Sequence, residues 1–209
     1  MSAFDITHIA FSVAGYPLSY VELFGTLFGL FSVFYASRAN VLTWSTGIVN
    51  EFFFLLLFFQ LQLYADMFLQ IFFFAVTIYG WYNWKTTKAT NEVYQLTAIG
   101  KILVLTAVAT GVLLAGFLFS NIHLYLPGFF KLKAAYPYAD SLIMALSISA
   151  TFLLAQKKIE TWYLWIAADV ICVLLYYKKG VYFLSAEYFI FLCLAGYGLS
   201  RWRKQLQSE

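Results

Sequence analysis

The chain has 209 residues, of which 63% are hydrophobic and only 11% charged. Soluble domains are typically about 45–50% apolar and about 25% charged. The 13 basic and 10 acidic side chains cannot cover a water-facing surface that must also accommodate 23 Phe, 16 Tyr and 6 Trp. The composition therefore predicts an integral membrane protein in a lipid bilayer, and it excludes a soluble enzyme and a protein that binds nucleic acid.

Seven apolar segments follow one another along the chain, each close to the roughly 20 residues that a helix needs to cross the hydrocarbon core. They cover residues 18–37, 44–63, 64–84, 95–119, 138–156, 161–177 and 181–200. The prediction is an all-α integral membrane protein with a single domain over residues 1–209. The Leu63–Asp66 corner separates the second and third segments, and the longest loop, Asn121–Pro137, has room for a short interfacial helix.

Basic residues are unevenly distributed over the predicted loops, and Lys101 falls inside the fourth segment. One side of the membrane receives Arg38, Lys85, Lys88, Lys157, Lys158, Arg201, Arg203 and Lys204, and the other receives Lys131, Lys133, Lys178 and Lys179. Because positive loops face the cytoplasm, this distribution predicts a cytoplasmic C-terminus and an N-terminus outside.

The chain resembles itself when it is shifted by 118 residues without a gap. Among the residues that superpose are Thr43-Trp44 on Thr161-Trp162, Trp84 on Trp202, Glu22 on Asp140 and Glu51 on Asp169. The pattern predicts a first three-helix repeat over residues 18–84, a linker helix over 95–119 and a second repeat over 138–202. Because a single helix separates the two three-helix repeats, both repeats enter the membrane from the same side and are parallel. Transporters built this way bind substrate between the halves near the midplane.

Acidic residues within the spans are the leading candidates for function, because a charge there costs about 2.5–3.5 kcal/mol on insertion scales. Trp162, Trp165 and Asp169 lie at helical spacing on one stripe, and Gly47 and Glu51 occupy the equivalent positions of the first half. A flat cationic ring would stack on Trp165 in the space beside Gly47. Two alternatives stay open: Trp162 belongs to an interfacial aromatic belt, or the acids pair with polar groups of neighbouring helices.

Further polar residues lie within the predicted spans. Glu22 and Asp140 lie near the outer helix ends, where a gating or structural role is expected. The other candidates for substrate binding are Asn50, Gln70, Ser147, Glu187 and Tyr188. Interhelical hydrogen bonding accounts for many such residues without a ligand.

The sequence contains no motif that predicts an enzyme active site, a metal site or a cofactor site. The spans contain no histidine and no nucleophile with an evident base, Cys172 and Cys193 both lie in apolar runs, and Gly100-Lys101 lacks the phosphate-loop spacing. A retinal-type receptor would need a lysine in residues 181–200, which contain none. A receptor-like protein is thus a weak alternative, whereas proton coupling through Glu51, Asp169 or Glu187 stays open.

Three stretches carry a family resemblance: Tyr79–Trp84, Gln62–Asp66 with Leu69-Gln70, and Lys158–Trp165. They resemble the Pnu-type vitamin transporters over residues 16–202. The resemblance implies a seven-helix, three-plus-one-plus-three fold like that of the SWEET sugar transporters, commonly as a homotrimer. It also implies facilitated diffusion of an unphosphorylated vitamin that a separate cytoplasmic kinase then traps.

The resemblance further implies roles for individual residues. The W-x-x-W pair Trp162 and Trp165 would contact the aromatic ring of the vitamin, and Asn50 and Gln70 match polar positions of the site. Asp169 stands where members close to the riboside transporters can carry Asn. Nicotinamide riboside is the family default, but the acids also suit the aminopyrimidine of thiamine, so both substrates stay open.

Overall fold

A computed structural model describes residues 5–13, 15–61, 64–86, 92–126 and 136–207. Within these ranges it contains seven helices, each of which overlaps one of the predicted segments. They are α1 (Tyr20–Ser37), α2 (Leu42–Gln60), α3 (Tyr64–Thr86), α4 (Ala98–Tyr125), α5 (Pro137–Ala155), α6 (Glu160–Lys178) and α7 (Tyr182–Gln207). The protein is therefore predominantly helical, as the composition predicts.

Five of these helices, α1, α2, α4, α5 and α7, are long and apolar enough to cross a membrane. Helices α3 and α6 fall outside this set; α6 carries Glu160, Asp169 and Lys178 among its 19 residues. The five apolar helices make the chain a multi-pass membrane protein.

A β-hairpin near the N-terminus was not predicted. Strands β1 (Ile9–Val13) and β2 (Tyr16–Ser19) pair in antiparallel fashion. Because Ser19 ends β2 and its hydroxyl accepts a hydrogen bond from the Glu22 amide at 3.1 Å, the first helix begins at Tyr20 rather than at residue 18.

Helices α4 and α7 are longer than predicted. Helix α4 continues to Tyr125, so the predicted loop begins later, and α7 continues to Gln207. The added turn of α7 is polar but consists of good helix formers, which hydropathy alone does not detect. Residues 62–63 of the predicted corner and residues 127–135 of the predicted loop lie outside the described residues.

The helices run up and down between two ends of a bundle. We call them the hairpin end, where α1, α3, α5 and α7 begin near β1 and β2, and the tryptophan end, where Trp44, Trp84, Trp162 and Trp202 lie. These four indoles form the centre of the larger buried core. Helix α1 packs on α2 and α7, α3 packs on α2 and α5, and α4 packs on α5.

Local geometry recurs at positions 118 residues apart. Trp44 meets Trp84 edge-on with ring centroids 5.2 Å apart, and Trp162 meets Trp202 in the same way at 5.5 Å. A Cβ on Gly198 would lie 2.6 Å from the Trp162 ring, so only glycine allows that indole its place. Gly80 accommodates Trp44 in the same manner.

The turns after α1 and α5 match as well. Ala39 and Lys157, which are equivalent under the shift, are the non-glycine residues in the described chain with positive φ, at 49° and 53°. The Thr43 hydroxyl donates to the Ser32 carbonyl at 2.9 Å, and the Thr161 hydroxyl donates to the Ala150 carbonyl at 2.8 Å. Each threonine thus joins the start of one helix to the preceding helix.

Candidate functional site

Asp169 is a buried acid in the middle of α6. Its side chain is 4% exposed, and within the described part of the chain it has no hydrogen-bond partner. Trp165 lies one turn before it, half-buried against the core at the tryptophan end, and Cys172 lies one turn after it. A buried carboxylate without a protein partner is costly, so this position is suited to a ligand that supplies a positive charge or a donor.

Glu51, the equivalent acid of α2, has a protein partner. The Thr77 hydroxyl of α3 donates to its Oε1 at 2.5 Å, whereas Oε2 is buried without a partner among the described residues. The position on α7 that corresponds to Thr77 is Ala195, which has no hydroxyl. The two acids therefore differ in their hydrogen bonds, and the threonine that binds Glu51 has an alanine as its equivalent in the second half.

The space expected beside Gly47 is filled. A Cβ on Gly47 would lie 3.4 Å from Ser32 Oγ and 3.6 Å from Thr77 Cγ2, so α1 and α3 both reach the backbone there. These two side chains occupy the side of Gly47 where a ring was expected to stack. The small residue instead permits close packing between helices, as is common in membranes.

Trp162 is part of the core at the tryptophan end. It is 1% exposed and packs against Gly198 and Trp202. Its indole N–H lacks a hydrogen-bond partner in the described residues, as does that of the equivalent Trp44. Trp165, by contrast, is only partly buried, and it lies on α6 between Trp162 and Asp169.

Asn50 lies where α2 meets α1. Its Nδ2 donates to the Gly25 carbonyl at 2.8 Å, and a Cβ on Gly29 would lie 2.8 Å from the same nitrogen. The Gly25-x-x-x-Gly29 spacing allows this close approach. Phe191 of α7 also lies beside Gly29, so three helices meet at this point.

Two adjacent residues of α7 face different neighbours. Glu187 accepts a hydrogen bond from the Thr26 hydroxyl of α1 at 3.0 Å. Tyr188 stacks on Tyr176 of α6 with ring centroids 5.4 Å apart and lies 6.2 Å from the Phe191 ring. Helix α7 therefore connects the surroundings of Asn50 with those of Asp169.

Gln70 and Ser147 are half-buried on α3 and α5. The hydrogen bonds between described residues connect neither side chain to the Asn50 or Asp169 neighbourhood. These two helices pack on each other, with Tyr79 and Phe152 stacked at 6.1 Å. The structure thus brings Asn50, Asp169, Glu187 and Tyr188 around α7 and leaves Gln70 and Ser147 on the α3–α5 side.

The two outer acids differ from each other. Glu22 is buried and accepts a hydrogen bond from the Tyr16 hydroxyl at 2.7 Å, whereas Asp140 is exposed. Burial, together with the hydrogen bond to Glu22, raises the pKa of Tyr16. Tyr16 also stacks on Phe183 with ring centroids 5.1 Å apart. This side chain of the hairpin therefore contacts both α1 and α7.

Several residues around the site were not predicted. Thr26, Thr77, Tyr176 and Phe191 each complete a contact of a predicted residue. The Gly25-x-x-x-Gly29 pattern is the one sequence signal that marks the α1 face of this neighbourhood. Identifying the threonines requires knowing which helix faces which.

The arrangement combines a partnerless buried carboxylate, an indole, a phenol and an amide, and it is suited to binding. The described residues contain no group of three or more His, Cys, Asp or Glu side chains placed to hold a metal ion.

Comparisons with known proteins identify relatives over nearly the whole chain. Residues 19–204 match the family model described as nicotinamide mononucleotide transporter. The nicotinamide riboside transporter PnuC of Escherichia coli strain K12 is 34% identical, over 94% of this chain and 90% of that protein. The riboflavin/roseoflavin transporter RibM of Streptomyces davaonensis is 25% identical, over 92% of this chain and 89% of that protein.

A solved structure shares the fold. The crystal structure of the vitamin B3 transporter PnuC matches with a TM-score of 0.68 at 21% identity, over 91% of this chain and 83% of that chain. The family and these relatives are transporters and not enzymes.

Proposed function

The chain belongs to the nicotinamide mononucleotide transporter family, and from this premise we propose that it takes up an unphosphorylated, cationic B-vitamin across the cytoplasmic membrane by facilitated diffusion. Nicotinamide riboside is the first candidate substrate, and thiamine is the second. The observation that carries the proposal is the 34% identity to the riboside transporter of E. coli over 94% of the chain.

The charge distribution supports a cationic and unphosphorylated substrate. In the described residues, every Lys and Arg lies in a loop or within about two turns of a helix end, and the central turns carry Glu51 and Asp169. A phosphate group at that depth would meet carboxylates and no cation, which is unfavourable in a low dielectric. A pyridinium or thiazolium ring would gain attraction from Asp169 and from the Trp165 face.

We assign the substrate site to the face of α7 and its neighbours. Asp169 balances the charge of the ring, Trp165 and Tyr188 contact its face, and Asn50 and Glu187 bind polar substituents. Trp162 supports Trp165 by packing. Gln70, Ser147 and Glu51 line the opposite half of the pathway, and Glu22 and Asp140 act at its outer mouth.

The proposed architecture is seven spans in a three-plus-one-plus-three order, like that of the SWEET transporters. Repeats over residues 18–84 and 138–202 are supported by the paired tryptophans, the paired threonine bonds and the paired positive-φ turns. A homotrimer and a separate cytoplasmic kinase that traps the vitamin complete the proposal.

The proposed orientation places the tryptophan end in the cytoplasm. Among the described residues, this end carries Arg38, Lys85, Lys157, Lys158, Arg201, Arg203 and Lys204, whereas the hairpin end carries Lys178 and Lys179. Lys101 lies in the first turn of α4, where it pairs with Glu160 at 3.4 Å, and adds to the tryptophan end. This excess follows the positive-inside rule.

Uptake by proteoliposomes tests the proposal. Purified protein is reconstituted, and entry of labelled nicotinamide riboside, thiamine and riboflavin is measured with nicotinamide mononucleotide as the phosphorylated control. We expect one of the two cationic vitamins to enter until its internal concentration equals its external concentration. The mononucleotide should not enter. Uptake of the mononucleotide, or of riboflavin alone, would contradict the cationic, unphosphorylated assignment.

The alternative of proton coupling is tested in the same vesicles. Collapse of an imposed pH gradient by an ionophore should leave initial uptake unchanged if transport is facilitated diffusion. Accumulation above the external concentration that disappears with the gradient would establish coupling instead.

A further inference from the structure

The two halves hold each other at the tryptophan end through a reciprocal pair of indole hydrogen bonds. Trp202 Nε1 of α7 donates to the Ala36 carbonyl of α1 at 3.1 Å. Trp84 Nε1 of α3 donates to the Leu154 and Ala155 carbonyls of α5 at 3.2 and 3.1 Å. Ala36 and Leu154 are themselves 118 residues apart, so the same bond is made twice, once in each direction between the halves.

Both indoles are inside the core. Trp202 is 0% exposed and Trp84 is 6% exposed. The Ala36 carbonyl lies in the last turn of α1, and the Leu154 and Ala155 carbonyls lie in the last turn of α5. The Ala36 and Leu154 carbonyls also accept the Ala39 and Lys157 amides at 2.9 Å, so the indole is an additional donor to each. Each bond satisfies a buried indole N–H with an acceptor on the other half, and separation of the halves must break it.

The junction between α3 and α5 is reinforced. Asn83 Nδ2 donates to the Ala155 carbonyl at 2.8 Å, and Lys157 Nζ lies 5.1 Å from the centroid of the Trp84 ring. The segment between α3 and α4 also fastens to the turn after α5, since the Tyr94 amide donates to the Lys157 carbonyl at 2.8 Å and the Ile159 amide donates to the Tyr94 carbonyl at 2.9 Å. These contacts tie the linker to the second half.

At the tryptophan end, the junction between α1 and α7 has fewer hydrogen bonds between the halves among the described residues. The Thr26–Glu187 bond and the contact of Phe191 with Gly29 lie farther along these two helices. Arg201, the equivalent of Asn83, donates to Tyr197 on its own helix at 3.2 Å, and Arg203 donates to Tyr163 of α6 at 2.7 Å. Arg38 of α1 approaches the Tyr197 hydroxyl, which is exposed and therefore also hydrated. The turn after α1 has Ala39 where the turn after α5 has Lys157, so this turn supplies no lysine to the Trp202 ring.

We propose that the halves pivot about the α3–α5 junction and part at the α1–α7 junction, with the Trp202–Ala36 bond as the latch of the gate at the tryptophan end. The reinforced side is the hinge because its many bonds cannot all break in one step. The α1–α7 side, which at the tryptophan end is held by one buried hydrogen bond between described residues, opens there. This inference rests on the proposed transport function, since a gate is needed only if a substrate passes between the halves.

Paired spin labels test the proposal without any substrate. One pair, Asn40→Cys with Lys204→Cys, spans the α1–α7 junction, and the matched pair, Lys158→Cys with Thr86→Cys, spans the α3–α5 junction 118 residues away. The exposed Cys193 is replaced by Ser, and the buried Cys172 is kept. Distances are measured by electron–electron double resonance with and without Trp202→Phe or Trp84→Phe, which remove one N–H and keep an aromatic ring.

We expect Trp202→Phe to lengthen and broaden the Asn40–Lys204 distance and Trp84→Phe to leave the Lys158–Thr86 distance unchanged. In the spin-labelled protein without a Trp substitution, the Asn40–Lys204 distance distribution should already be broader than the Lys158–Thr86 distribution. This comparison tests the proposal even if a Trp variant does not fold. An equal or larger response at the α3–α5 junction, or no response to Trp202→Phe, would overturn it. Failure of the transport proposal would be seen separately, as absence of vitamin uptake.

Discussion

The two halves of this transporter share their local geometry at the tryptophan end and differ midway along α2 and α6. At that end, each half places two indoles edge-on at nearly the same distance. Midway along these helices, Glu51 of α2 accepts a hydrogen bond from Thr77 of α3, whereas no hydrogen bond between described residues reaches Asp169 of α6, and α7 has Ala195 at the position equivalent to Thr77. Under the proposed function, the first half uses its acid for packing and the second half presents its acid to the substrate.

Two tryptophans one turn apart on α6 give the largest predicted effect. Trp162→Ala should lower the free energy of unfolding by about 3–5 kcal/mol, since it empties a fully buried indole site. Trp165→Ala should lower it less and weaken vitamin binding more. Thermal unfolding in detergent and calorimetric titration of both variants compare them. Equal stability losses, or a larger binding loss for Trp162→Ala, would contradict the separation of their roles.

Removal of the partner of Glu51 should be costly for stability. Thr77→Ala leaves a buried carboxylate without its donor, so we expect a loss of about 1–3 kcal/mol in the free energy of unfolding. Vitamin affinity should be retained. Thr77→Ser, which keeps the hydroxyl, is the matched control for denaturant unfolding. A Thr77→Ala protein as stable as Thr77→Ser would show that the bond does not stabilise the fold.

A hydroxyl added at position 195, the equivalent of Thr77, should make the second half resemble the first. Ala195→Ser places a donor at the position equivalent to Thr77 and should compete with the ligand for the carboxylate. One net hydrogen bond is worth about 0.5–1.5 kcal/mol, which is about two- to tenfold in affinity. Binding assays should show this loss without loss of stability. Unchanged affinity would place Asp169 outside the site.

The outer acids give the smallest predicted effect. Tyr16→Phe removes the hydrogen bond to the buried Glu22 and should lower the free energy of unfolding by about 0.5–1 kcal/mol. Asp140→Asn changes an exposed residue and should have no measurable effect. Chemical denaturation of the two variants side by side checks the contrast. A larger loss for Asp140→Asn would reverse it.

The approximate positions of the helices could be predicted from the sequence, because hydropathy is a local property of the chain. The roles of the paired residues could not. Trp162 and Trp165 lie on one helical stripe, and only the position of Gly198 on α7 decides which of them is buried. Similarly, Glu51 and Asp169 look alike in the sequence, and only the fold shows that Thr77 donates to Glu51. Hydropathy does not predict the hairpin of Ile9–Val13 and Tyr16–Ser19, because its strands are too short to cross a membrane.

The proposed function depends on Asp169, whose carboxylate would bind the cationic vitamin. Calorimetric titration of the purified protein with nicotinamide riboside and with thiamine, repeated with Asp169→Asn and Glu51→Gln, measures its contribution. We predict that one vitamin binds the unsubstituted protein, that Asp169→Asn weakens this binding at least about tenfold, or about 1.4 kcal/mol, and that Glu51→Gln leaves it within about twofold. Equal losses in the two variants, or undiminished binding to Asp169→Asn, would contradict the claim.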